Sequence, residues 1–170
     1  LHPRLAHMVC NGDLLGHGAI ACDLAALLSE RDIFRGQGQA PDADLRLRLE
    51  SLRRLRNGDR PTPNHARTYM VPYGAAGRAR KMADHWRRKL GLSPDAPGDA
   101  EACGLLTAFA YPDRIAQRQP GQHASGRFRL RNGRTATLPF PQLLSDADFL
   151  VAAYVRSEEH TSELQSLSHI

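Results

Sequence analysis

Hydrophobic residues recur at helical spacing in several segments of this chain, and the most apolar of them is residues 16–32. Its apolar face is formed by four large aliphatic residues: Ile20, Leu24, Leu27 and Leu28. Small residues occupy the other faces, and Asp23 is the only charged residue before Ser29. A helix that is apolar or small nearly all round is normally covered on several sides. The pattern therefore predicts the central helix of a helical domain.

The same spacing predicts four more helices, over residues 3–10, 42–55, 75–90 and 99–110. Asn11-Gly12 is expected to end the first, and Asp42 or Asp44 to cap the second. The buried stripe of the second consists of leucines, namely Leu45, Leu49, Leu52 and Leu55. Its opposite side carries Arg46, Glu50, Arg53 and Arg54. That side is either a solvated face or a basic edge along an RNA path.

The third of these helices, residues 75–90, has an apolar stripe and a basic side. The stripe contains Ala75, Ala79, Met82, Trp86 and Leu90. The basic side contains Arg80, Lys81, Arg87 and Arg88, with only Asp84 to offset them. We predict that these four cations contact a nucleic-acid backbone, although a merely solvated face would show the same pattern.

Alternating residues predict a β-hairpin over residues 126–138. A two-residue Asn-Gly turn would put Phe128 and Leu130 on the face opposite Ala136 and Leu138. A three-residue loop over 131–133, with Gly133 left-handed, gathers all four on one face, so we predict that loop. Three arginines then share the other face with Thr135 and Thr137, namely Arg127, Arg129 and Arg131. Arg127 and Arg129 are candidate RNA contacts, with bare solvent exposure as the alternative.

The apolar run Phe149–Val155 predicts a further buried strand. The pattern of residues 114–119 is compatible with either a short strand or a turn. The expected fold class is α+β, mostly α. Proline-rich residues 57–74 are the expected boundary, because Pro61, Pro63 and Pro72 prevent another helix there. The 170 residues suffice for one ordinary domain or two small ones.

The last residues, 156–170, are set apart by their sequence. Arg156–Ser166 resembles the translation of a common sequencing-library adapter, so we expect residues 156–170 to be non-native and to take no part in the fold. A short polar terminal helix is the alternative. The strand ending at Val155 is then expected to lack a partner strand.

The charge and the cysteines of the chain indicate which kinds of ligand and which cellular location to expect. Without Arg156 and the three glutamates of the tail, the formal net charge rises from +5 to +7, and only Lys81 and Lys89 are lysines. Arginine suits phosphate recognition, but a GC-rich genome produces the same bias. The cysteines lack the spacing of a zinc site or disulfide framework, and Cys22 and Cys103 are expected to be buried. Reduced thiols fit the cytoplasm, and no apolar run is long enough to cross a membrane.

Several spaced blocks of the sequence carry a family resemblance, namely residues 2–8, 21–32, 44–49, 105–113, 114–118 and 131–134. Over about residues 1–155, these blocks resemble the accessory region of bacterial HrpB-type, DEAH-box RNA helicases. The resemblance implies a helicase-associated helical domain at 1–56, of which 1–12 is the end of a winged helix, a connector at 57–74, and a truncated C-terminal domain at 75–155. It also implies ATP and magnesium as cofactors of the whole enzyme, upstream RecA-like motor domains as intrachain partners, and RNA as substrate. Because the chain begins at Leu1, we expect a fragment of such an enzyme.

Motifs that carry out phosphoryl transfer are absent from this sequence. It contains no G-x-x-x-x-G-K-[ST] loop and no Asp-Glu-Ala-His block, and its histidines form no metal-binding pattern. Residues 74–80 only superficially match an arginine-finger motif. We therefore expect no catalytic, cofactor-binding or metal-binding residue here. A non-enzymatic RNA-binding adaptor and a protein-docking scaffold remain alternative functions.

Overall fold

The computed structural model describes residues 1–30, 32–36, 40–59, 69–70, 73–121, 126–157 and 162–169. Contacts between residues divide the chain into two units, 1–41 with 46–102 and 42–45 with 103–170. Helices dominate the first unit and strands the second, so the predicted α+β class is confirmed. The division differs from the boundary predicted at 57–74, because residues 75–102 belong to the first unit. Residues 60–68 and 71–72 of that predicted connector lie outside the described part of the chain.

Four helices build most of the first unit: α1 (Pro3–Leu14), α2 (Gly18–Ser29), α3 (Leu45–Arg56) and α4 (Tyr73–Lys89). Every residue of α2 from Gly18 to Leu27 is buried, and α2 packs against both α1 and α4. The predicted central helix is therefore confirmed. The unit also contains a two-stranded antiparallel sheet formed by β1 (Arg35–Gly36) and β2 (Tyr69–Met70).

Helix boundaries and buried faces agree with the sequence pattern only in part. The leucine stripe of α3 is buried as predicted. However, α1 continues through Asn11-Gly12, because Gly12 is buried within the helix rather than placed at its end. The left-handed glycine that follows α1 is Gly16, with φ 79°. Glycine adopts this conformation without the steric cost that a Cβ atom brings.

The second unit contains α5 (Cys103–Ala110) and a closed five-stranded barrel. Its strands are β3 (Ile115–Arg118), β4 (Arg127–Leu130), β5 (Thr135–Thr137), β6 (Phe149–Ser157) and β7 (Ser162–His169). Around the barrel they follow the order β3-β4-β5-β7-β6. The β5–β7 pair is parallel and the other four pairs are antiparallel. This is the arrangement of the OB-fold, a five-stranded Greek-key barrel.

The hairpin formed by β4 and β5 has the predicted register. Phe128 pairs with Ala136, and Gly133 has a φ of 85°. The backbone N–H of Leu130 donates to the carbonyl of Arg134 at 2.8 Å, which leaves residues 131–133 as the loop. The four apolar side chains of the hairpin lie on one face and are buried in the barrel. The requirement that all four apolar residues share one buried face was therefore sufficient to predict the three-residue turn.

The strand predicted over residues 149–155 is present as β6, and its residues 150–153 are buried, whereas Phe149 and Tyr154 are exposed. The expectation that this strand lacks a partner is wrong, because β6 pairs with β3 and with β7. β7 lies within the tail that was expected to take no part in the fold, and its Leu167 is buried in the barrel core. The adapter origin of the tail sequence stays a prediction.

Candidate nucleic-acid interface

The outer surface of β4 and β5 presents two of the predicted contact residues. Phe128 and Leu130 point into the barrel, so Arg127 and Arg129, which alternate with them along β4, lie on the outside and are exposed. Their register partners on β5 are Thr137 and Thr135. Within the described residues, neither arginine has a carboxylate at ion-pair distance. The hairpin therefore offers uncompensated positive charge on a face with hydroxyl groups beside it.

A row of side chains crosses four strands at the position of Arg129. Gln117 of β3 pairs with Arg129 on one side and with Phe149 of β6 on the other, while Arg129 pairs with Thr135. Residues directly opposite each other in paired strands point to the same face. Phe149 is 44% exposed, and Gln117 is also exposed. The outer surface thus places an aromatic ring, an amide, a guanidinium group and a hydroxyl in line.

Helix α4 does not present its four predicted cations on one surface. Lys81 and Arg88 are exposed. Arg80 is half-buried, and its Nη1 donates to the carbonyl of Leu55 at 3.2 Å. Arg87 is only 1% exposed, so its prediction as an RNA contact is wrong for this fold. Lys89, the last residue of α4, is a further exposed basic residue and was not among the predicted contacts.

The difference arises because α4 is rotated relative to its predicted stripe. Its fully buried residues are Ala76, Ala79, Ala83 and Arg87, whereas Met82 and Trp86 are half-buried at the flank. α4 packs against α2, whose surface is made largely of small residues. Close approach of two helices favours alanine at the centre of the contact, and this places Arg87 opposite α2.

Asp23 of α2 is the reason that Arg87 can be buried. Arg87 donates from Nη2 and Nε to the Asp23 carboxylate at 2.6 and 3.1 Å. Arg56 of α3 donates to the same carboxylate at 2.9 and 3.2 Å, and its Nη2 also bonds Asp84 at 3.0 Å. The remaining Arg87 nitrogen, Nη1, bonds the carbonyls of Pro94 and Ala96. A buried charge is tolerated when it is paired and hydrogen-bonded in this way.

Burial and these charges shift the pKa of two neighbouring groups. Burial lowers the pKa of Arg56, but the hydrogen bonds that Arg56 donates to Asp23 and Asp84, and its attraction to their charges, outweigh burial and raise that pKa above its usual value. Burial, reinforced by the negative charge of Asp23, raises the pKa of the Cys22 thiol to about 12. Cys22 and Cys103 are both buried thiols that form no disulfide, as predicted. The sulfur of Cys103 also lies 3.0 Å from the hydroxyl oxygen of Ser168.

A cleft of 470 Å³ lies between α2, α3 and the segment 93–100 in the first unit. Four arginines line it, namely Arg46, Arg53, Arg56 and Arg87, and each is ion-paired with a carboxylate. Burial raises the pKa of Glu50 at its rim, but hydrogen bonds from Arg53 and Arg54 outweigh this and lower it. The cleft is therefore close to charge balance, unlike the outer face of β4 and β5.

The sequence has no phosphate-binding loop of the P-loop type, and the described residues contain no cluster of three or more metal-ligating side chains. We therefore assign no step of ATP hydrolysis to the described residues. None of the described helices has the length and apolarity needed to cross a membrane.

Comparison with solved structures relates this fold to a helicase. The crystal structure of the Escherichia coli DExH-box NTPase HrpB matches 99% of this chain with a TM-score of 0.66 and 22% sequence identity. A crystal structure of the Escherichia coli DEAH/RHA helicase HrpB matches 99% with a TM-score of 0.68 and 23% identity. The chain shares its fold with a segment of HrpB. It spans 17% of the length of each HrpB chain. No family model and no curated protein matches the sequence.

Two members of the row on the barrel were not predicted from the sequence. Phe149 was assigned to a buried strand, and Gln117 lay in a segment that left strand and turn open. Only the register of β3 against β4 and β6 brings them beside Arg129. The available signal was the sequence Asp148-Phe149, because a strand that begins beside a charged residue begins near solvent. The six predicted contact residues divide between the units, four on α4 and two on β4.

Proposed function

We propose that this chain is the accessory region of an HrpB-like, ATP-dependent DEAH-box RNA helicase of the cytoplasm. In this proposal, the outer face of β4 and β5 contacts the RNA backbone. RecA-like motor domains outside this region bind ATP and magnesium and are its intrachain partners. The observation that carries the proposal is the pair of uncompensated arginines, Arg127 and Arg129, on the central hairpin of an OB-fold barrel. The strands equivalent to β4 and β5 form the surface on which OB-folds bind oligonucleotides.

Phosphate contact needs spaced cations and no particular base. Successive outward positions on β4 place Arg127 and Arg129 about 7 Å apart along the strand. Guanidinium groups bind phosphate oxygens in a bidentate manner, which makes arginine well suited to this role. Lys81 and Arg88 of α4 remain in the proposal as a further backbone contact, because both are exposed. Arg80 and Arg87 are excluded from it by their hydrogen bonds within the first unit.

The proposal is tested by measuring the affinity of the full chain for a single-stranded RNA at several salt concentrations. The variant Arg127→Ala/Arg129→Ala is expected to bind more weakly and to lower the slope of log K against log salt by about 1.4, since each phosphate contact contributes roughly 0.7. The matched control is Arg53→Ala/Arg78→Ala, which removes the same charge from exposed arginines already paired with Glu50 and Glu30. It should leave the slope unchanged. Equal effects of the two variants would overturn the proposal.

The binding measurement and a second measurement, on a longer protein that includes the motor, together distinguish the accessory role from the other functions. An RNA-binding adaptor would give the same binding results as the accessory region, but loss of the hairpin arginines would then leave the activity of the motor-containing protein unchanged. A protein-docking scaffold would bind RNA no more tightly than the hairpin variant does. We expect instead that the hairpin variant reduces RNA-stimulated ATP hydrolysis by the motor-containing protein.

A further inference from the structure

The exposed ring of Phe149 is not explained by packing. Leu150 fills the barrel core, and on the outer side of β6 the next residues, Val151 and Ala153, are buried. α5 packs on that side of β6. Phe149 lies where this cover ends, and its ring remains 44% exposed. An exposed aromatic ring beside cations on a sheet is the arrangement that stacks nucleic-acid bases.

We propose that Phe149, Gln117 and Arg129 form a subsite for one unpaired nucleotide of a single-stranded RNA. The base stacks on the ring of Phe149, the amide of Gln117 hydrogen-bonds to the base edge or ribose, and Arg129 binds a phosphate. This inference rests on the proposed function, because Arg129 belongs to both. It adds the class of RNA: a base can stack on a protein side chain only when it is free of a duplex.

The spacing of the row fits one nucleotide. Neighbouring strands lie about 4.8 Å apart, so Phe149 and Arg129, which flank Gln117, are separated by about 10 Å at the backbone. A ribose–phosphate unit and an extended arginine side chain span this interval. Thr135, one strand further, supplies a hydroxyl next to the phosphate position. Charge complementarity selects a nucleic acid as the occupant, because Arg127 and Arg129 face outward without a described carboxylate partner.

The subsite is tested with two RNA probes of equal length, an oligoadenylate and an oligomer in which every residue is abasic. Both carry the same phosphates, but only the first has bases that can stack. In the full chain, Phe149→Ala is expected to weaken binding of the oligoadenylate by at least about fivefold and to leave binding of the abasic probe within about twofold. Phe149→Trp should retain affinity and show quenching of indole fluorescence by the stacked base. The matched control is Tyr154→Ala, which removes another exposed aromatic ring from β6 and should change neither affinity.

The outcomes separate the two proposals. If Arg129→Ala weakens both probes and Phe149→Ala weakens neither, the stacking subsite is overturned and the backbone contact stands. If Phe149→Ala weakens both probes equally, its role is structural and the subsite is again overturned. If the chain binds neither probe while binding an acidic peptide, both proposals fail together. Far-UV circular dichroism of each variant establishes that the barrel is folded.

Discussion

Replacing Asp23 with asparagine tests whether the buried ion cluster stabilises the first unit. The substitution keeps the side-chain shape but removes the charge. In the native structure, the carboxylate accepts four hydrogen bonds from Arg56 and Arg87. An asparagine offers one acceptor oxygen and turns its NH₂ group toward a guanidinium. Arg87, which is 1% exposed, would then keep a charge that is no longer balanced.

A matched control exists in the same unit. Glu50 also accepts hydrogen bonds from two arginines, Arg53 and Arg54, but its side chain is 42% exposed whereas that of Asp23 is 9% exposed. Breaking a buried pair by removing one partner costs about 3–5 kcal/mol, while an exposed pair contributes about 0–1 kcal/mol. We therefore expect Asp23→Asn to destabilise the unit by about 3–5 kcal/mol and Glu50→Gln by less than about 1 kcal/mol.

The assay is urea unfolding at pH 7, followed by the fluorescence of Trp86. This residue is the only tryptophan in the chain, and it precedes Arg87 on α4, so its signal reports on the first unit. Both variants should lower the unfolding midpoint with an unchanged m-value, and they should differ severalfold in the size of the decrease. Equal destabilisation by the two substitutions would refute the argument that burial makes the Asp23 cluster decisive.

Three further predictions concern the barrel tail and the cysteines. Leu167→Ala, at a fully buried position of β7, should lower the free energy of unfolding by about 2–5 kcal/mol in thermal or urea unfolding. Leu143→Ala, at an 85% exposed position, should leave that free energy almost unchanged. If Leu167→Ala had no effect on stability, β7 would not hold the barrel closed. Because burial raises the pKa of Cys22 from 9.0 to about 12, the unfolded thiol ionises first, so stability should fall as the pH rises from 9 toward 12, and Cys22→Ala should reduce that fall. At pH 8, a thiol reagent should label the exposed Cys10 and leave Cys22 unmodified until the chain unfolds; rapid labelling of Cys22 would contradict this burial.

The spacing of apolar residues was sufficient to predict which residues are buried within a single helix or hairpin. The leucines of α3 and the four apolar residues of the β4–β5 hairpin were placed correctly, because a helix or hairpin fixes which positions share a face. The same reasoning missed the rotation of α4. Large residues such as Trp86 were expected at the centre of the contact, but two helices that approach closely bury alanines there and leave larger side chains at the flank.

Contacts distant in sequence account for the other differences. Arg87 and Asp23 are 64 residues apart, and nothing local to α4 distinguishes Arg87 from the exposed Arg88. The single acid on the apolar helix α2 was a usable signal, because a buried carboxylate requires cationic partners. The row on the barrel depends on pairing β3 with β4 and β6, which period-two alternation within one strand cannot reveal. Residues 156–170 were left out of the fold prediction because of their expected adapter origin. In the structure, β7 lies between β5 and β6 and pairs with both, which closes the barrel.

The buried arginines change how the net charge bears on RNA binding. Arg48 pairs with Asp32, Arg87 pairs with Asp23, and Arg56 pairs with both Asp23 and Asp84. Part of the arginine enrichment therefore supports packing rather than a binding surface. If RNA were attracted only by the overall charge of the chain, removing any two arginines would weaken RNA binding equally. If RNA binds at the hairpin, removing Arg127 and Arg129 weakens RNA binding more than removing Arg53 and Arg78. The salt dependence of RNA binding is therefore set by the exposed arginines that have no described carboxylate partner, rather than by the net charge of the chain.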